Sequence, residues 1–137
     1  MSEYDCINNF NSILKDFAQN MAYICPDTII GQNIGYINKT LDNLKEKEKF
    51  IDLFCAKILI FKPVLDNDDN PKEREQFFYK RSYDDDLKGT DAEGFDRIFI
   101  FKDIWKNLKQ ENKDMVILYM KALAEIAQQY YCITQNI

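Results

Sequence analysis

Turn chemistry is scarce in this chain, and that scarcity decides its class. Four glycines and three prolines serve 137 residues, whereas an average chain carries about 12% of the two together. A β-sandwich needs a turn roughly every ten residues, and these seven residues cannot supply them. Long segments must run unbroken, which favours helices. The length suits one domain with one core. An apolar content of 46% and an aromatic content of 14% provide the material for it. The expected fold is mainly α: a single-domain bundle over residues 1–137 with four to five helices. It carries an acidic, loop-rich insertion at 63–96 and at most one short β-hairpin.

The apolar spacing locates the helices. Ile7, Phe10, Leu14, Phe17, Met21 and Ile24 recur at alternating intervals of three and four, one face of a helix about six turns long. Ser2 is its expected N-cap, and Pro26 ends it at or before Cys25. Asp27 can cap a second helical stretch, although Gly31 and Gly35 weaken its start. Ile30, Ile34, Ile37, Leu41 and Leu44 then continue at helical spacing. Residues 46–61 begin charged and become apolar on most sides, which predicts a central buried helix, with a strand at 58–61 as the alternative. Pro63 ends that segment in either case. Segments 77–79 and 97–101 read as short strands, the former also as a short helix. Asp103 is expected to cap a short helix carrying Trp105, and Asn112 the last helix.

Charge is distributed unevenly. Residues 63–96 hold 11 acids against five bases, while the rest holds 12 against 13, so the net charge of −5 arises in one segment. Within it, residues 66–71 form a loop by composition, and 82–94 read as an exposed loop. There is no histidine, which removes the commonest general base, the histidine-activated nucleophiles and most mixed-ligand zinc sites. The four cysteines lack CxxC spacing and sit among apolar residues, so reduced thiols in a reducing compartment are expected.

Candidate chemistry is correspondingly thin. The loop Asp66-x-Asp68-Asp69-Asn70 places Pro71 and Phe77 where an EF-hand requires Gly and Glu. Asp84, Asp85 and Asp86 have no phosphate-cradling loop to accompany them. No cofactor, catalytic residue or metal ligand is expected. Phe77, Phe78, Tyr79 and Tyr83 flank this acidic sequence, and together with Asp84, Asp85 and Asp86 they form the candidate protein-binding patch. Lys102, Lys106, Lys109 and Lys113 would align on one face of a continuous helix, an alternative nucleic-acid surface. Four phosphate contacts would be weak and salt-sensitive, and the pI near 4.8 opposes them. The N-terminus has no signal-peptide character, and no apolar run approaches the roughly 20 residues that span a bilayer. No membrane contact and no secretion are expected, and a homodimer through the apolar 46–61 segment stays open.

Ile, Lys, Asn, Phe and Tyr fill 62 of the 137 positions, a bias that A/T-rich codons explain. The run from Phe101 through Lys102, Asp103, Ile104 and Trp105 to Leu108 is followed by Glu111-Asn112-Lys113 and by Tyr119 to Leu123. With Phe10 to Asp16 and Cys25-Pro26-Asp27, it resembles small helical proteins of giant DNA viruses with large, AT-rich genomes. The likeness covers about half the chain, at its two ends, and departs at Cys25, where the others more often carry Phe. That resemblance implies a non-enzymatic viral protein acting in the cytoplasm of the infected cell or in the virion, through a viral or host protein partner. It transfers no catalytic residue.

Overall fold

A computed structural model describes residues 1–80, 93–99, 101 and 104–136. The first helix, α1 (Glu3–Ile24), matches the expected stripe closely: Phe10, Leu14, Phe17 and Met21 are buried. Ser2 caps it reciprocally, its hydroxyl accepting the Asp5 N–H at 3.1 Å while Asp5 accepts the Ser2 N–H at 3.3 Å. Such a box satisfies two of the donors a helix start leaves open. The helix stops at Cys25, next to Pro26.

Two shorter helices come next, α2 (Ile29–Gln32) and α3 (Ile34–Asp42). The N-cap of α2 is Thr28, not Asp27, and its hydroxyl donates back to the Cys25 carbonyl at 2.6 Å. Gly31 permits this tight return, because a Cβ there would lie 2.4 Å from the Cys25 carbonyl oxygen.

The expected single helix over 46–61 is two pieces. α4 (Lys49–Lys57) buries Phe50, Ile51 and Phe54, and a 3₁₀ turn covers Leu59–Phe61. The strand alternative for 58–61 is therefore overturned. Central burial also fails at its end, where Ile60 is 78% exposed. Pro63 does not close the segment but sits in the first turn of α5 (Lys62–Asp66), a position where its missing N–H costs nothing.

The described parts of the acidic segment are more helical than their composition implies. Of the loop expected at 66–71, residues 67–70 are non-helical, while Asp66 ends α5 and Pro71 opens α6 (Pro71–Lys80). Residues 77–79 therefore lie in a helix. Residues 97–98 end α7 (Glu93–Ile98), so the strand reading at 97–101 and the hairpin fall together. Among the described residues there is no strand. A 3₁₀ turn, Trp105–Asn107, leads into α8 (Gln110–Gln135). The last helix begins two residues before Asn112, on an N-cap at Lys109 with no side-chain cap bond. The all-α class holds, in more pieces than the four to five expected.

The core is a phenylalanine lattice between α1 and α8, whose mutual packing is the most extensive in the fold. Phe17 meets Phe99, Phe101 and Tyr119, with ring centroids 5.1–6.3 Å apart. Phe54 sits edge-on to Phe10 and Phe99, and Phe95 stacks on Phe50. Each such side chain contributes about 1.5–3 kcal/mol through burial, and edge-on pairs add roughly 0.5–1.5 kcal/mol. α4 is tied to α8 by the Tyr130 hydroxyl, which donates to Asp52 at 2.7 Å. The four cysteines are free.

Candidate interaction surface

α6 is placed by its two faces. Phe77 and Phe78 point inward, and Lys72, Glu73, Gln76 and Tyr79 are exposed. The Phe78 ring lies flat on Trp105 at 4.0 Å with an interplanar angle of 5°, and edge-on to Phe101. Phe77 packs on Phe61 at 5.2 Å. Asn70 caps the helix: its side-chain oxygen accepts the Glu73 N–H, and its amide donates to the Glu73 carboxylate. Arg74 reaches back to the Leu65 carbonyl and to Asp68, 2.6 Å away, and Lys121 of α8 donates to the same Asp68 oxygen at 2.8 Å. These two cations, Lys121 first, hold the Asp68 carboxyl below its ordinary range.

Trp105 joins α6 to α8. Its indole N–H donates to Glu75 at 3.0 Å, and the Lys113 ammonium donates to the same carboxylate oxygen at 3.2 Å. That ammonium also lies 5.4 Å from the indole ring centroid, within cation–π range. Beside this triad, α6 and the first turns of α8 enclose an open groove of about 360 Å³. Pro71, Lys72 and Arg74 form one wall and Gln110, Asp114 and Ile117 the other. A second hollow of similar size runs along the link from α3 to α4, lined by Thr40, Leu44 and Lys49 among others. None of the candidate residues singled out in the sequence lies there.

The candidate patch divides three ways. Phe77 and Phe78 are core residues at 7% and 0% exposure, so their rings are not a docking surface. Tyr79 is 37% exposed on the outer face of α6. Tyr83, Asp84, Asp85 and Asp86 lie outside the described residues. The lysine face is also altered. Leu108 and Lys109 have extended backbone, with ψ of 140° and 154°, so a single helix does not carry all four positions. Lys106 and Lys109 are exposed, Lys113 is turned toward Glu75, and Lys102 lies outside the described residues.

Sequence reasoning missed Glu75, Gln110, Asp114 and Ile117. One signal was present, since a buried indole seeks an acceptor for its N–H. Which of 23 acids provides it is not written in the spacing.

Burial, and then Asp52, push the Cys55 thiol up to about 11, far from the depressed values of reactive cysteines. Among the described residues, no three Cys, Asp or Glu side chains gather where an ion would fit. No described helix is long and apolar enough to cross a membrane. No protein-family model, curated protein or solved structure matches the chain.

Proposed function

We propose that this chain is a non-enzymatic interaction protein of a giant DNA virus, which engages a viral or host protein through the surface that α6 and α8 build. The observation that carries this reading is the α6–Trp105–α8 junction. The Phe78–Trp105 stack and the Glu75–Lys113 pair fix two helices firmly and leave between them a groove with charged walls and an apolar contribution from Pro71 and Ile117. Rigid, preorganised surfaces of this kind lose little entropy on binding. The absence of histidine supports a non-catalytic role, and the composition together with the terminal motifs supports the viral source. The infected-cell cytoplasm and the particle are the compartments in which that role belongs.

The test is affinity capture from infected cells with the native chain and with a Tyr79→Ala/Ile117→Ser variant, checked by circular dichroism for an intact fold. Specific proteins retained by the native chain and lost by the variant are the expected result. An identical set retained by both would remove the groove from the proposal.

A further inference from the structure

The charges around the groove are not equally engaged, and the inequality gives the chemistry of an occupant. Lys113 is held by Glu75, and Arg74 by Asp68. Both acids of the lining have donors from within the chain: Glu75 takes the Trp105 N–H and Lys113, and Asp114 takes the Gln110 amide at 2.9 Å. Lys72, in the first turn of α6, lines the groove, is exposed and has no acidic partner among the described residues. Lys106 and Lys109 are exposed and equally unpaired among them, each next in sequence to a lining residue, Trp105 and Gln110. Against these three ammonium groups stand two exposed acids with the same adjacency, Glu111 and Glu73, and the Glu73 carboxylate already takes the Asn70 amide at 3.2 Å. The cationic excess is local, in a chain whose net charge is −5.

We infer that the α6–α8 groove receives a short acidic peptide segment of a protein partner, its carboxylates meeting Lys72, Lys106 and Lys109. This rests on the interaction reading above and adds the class of ligand. An apolar side chain next to those carboxylates would lie against Pro71 and Ile117, and the groove volume accommodates a few side chains, not a domain. The lysine positions thereby gain a role that survives the break at Leu108–Lys109, because a groove rim does not require one continuous helix. Nucleic acid fits the same lysines less well. Three ammonium groups give few phosphate contacts, and so few hold a strand only weakly at physiological salt.

Trp105 is the sole tryptophan and forms part of the groove wall, so its emission reports occupancy. The experiment titrates the full chain, at about 150 mM salt where long-range charge effects are screened, with three probes. These are a nine-residue Asp/Glu/Leu peptide, its Lys/Leu counterpart and a single-stranded oligothymidylate. The acidic peptide is expected to change the Trp105 emission saturably, with the other two inert. A Lys72→Glu/Lys106→Glu/Lys109→Glu variant should weaken its binding by about tenfold or more. The control Lys39→Glu/Lys45→Glu/Lys47→Glu, with the same net charge on exposed positions away from the groove, should change it less than about twofold. Equal losses in both variants, no binding of the acidic peptide, or tighter binding of the oligonucleotide would overturn the inference. If the peptide fails while capture still depends on Tyr79 and Ile117, the ligand class falls and the interaction reading stands.

Discussion

At the scale of single residues, two glycines four positions apart have opposite meanings. At Gly31 a Cβ would collide with backbone, 2.4 Å from the Cys25 carbonyl oxygen and 2.5 Å from that of Pro26. Backbone atoms cannot swing aside as a side-chain end can, so Gly31→Ala should cost on the order of 1–3 kcal/mol. At Gly35, inside α3, nothing lies within 4 Å of the added methyl group. Gly35→Ala should therefore stabilise by roughly 0.4–1 kcal/mol, because it reduces the freedom of the unfolded chain. Urea melts of the two variants check both signs, and a stabilised Gly31→Ala would contradict the close approach. The sequence shows both glycines as helix-weakening residues and nothing more, since their difference lies in what another segment brings near.

At the scale of elements, the helices α5, α6 and α8 are fastened by ion pairs that share a central charge. Asp68 holds Arg74 within its own segment and Lys121 across on α8, and Lys62 pairs with Asp66 and Glu125. The native pKa of Asp68 is lowered, by the hydrogen bond from Lys121 first and that from Arg74 second. A carboxyl whose native value lies below its unfolded one stabilises the fold in full above the unfolded value. That contribution is lost as pH falls through the native one. The native chain should thus exceed Asp68→Asn in stability at neutral pH, with the gap closing in acid below the ordinary Asp value of 3.8. Added salt should narrow it as well. Melts of both chains across that range would show it, and a gap independent of pH would assign Asp68 no electrostatic role.

Element boundaries also show what periodicity can and cannot carry. α1 is legible because six apolar positions over 18 residues, a capping serine and a terminating proline all agree. The run Arg97-Ile98-Phe99-Ile100-Phe101 misleads because five residues rich in β-branched and aromatic types match a strand as well as the end of a helix. Tertiary packing decides it. Phe95, Phe99 and Phe101 enter the core from α7 and the segment after it, and Phe95 and Phe99 touch at 4.7 Å. The groove is half legible. Of its lining, Lys113 stands out by spacing, whereas Glu75 reaches it only through α6 docking on Trp105.

At the scale of the whole molecule, one aromatic lattice runs from Phe10 to Trp105 through Phe54, Phe99, Phe101 and Phe78. A core connected in this way has no internal seam, so the groove should not loosen separately from the bundle. Unfolding followed by Trp105 emission and by far-ultraviolet circular dichroism should then give coincident transitions, as a two-state change requires. An earlier Trp105 transition would show that the α6 region melts on its own and that the lattice is weaker there.

The principal pairing of the fold, α1 against α8, joins helices from opposite ends of the described chain. During synthesis α1 emerges first, and its stripe of Phe10, Leu14, Phe17 and Met21 stays without its main cover until α8 is made. Helical proteins usually fold through near neighbours and fast, but this one must wait for α8. On the ribosome the apolar stripe of α1 stays exposed until α8 has been made, and transiently exposed surface of that kind is what aggregates in a folding chain.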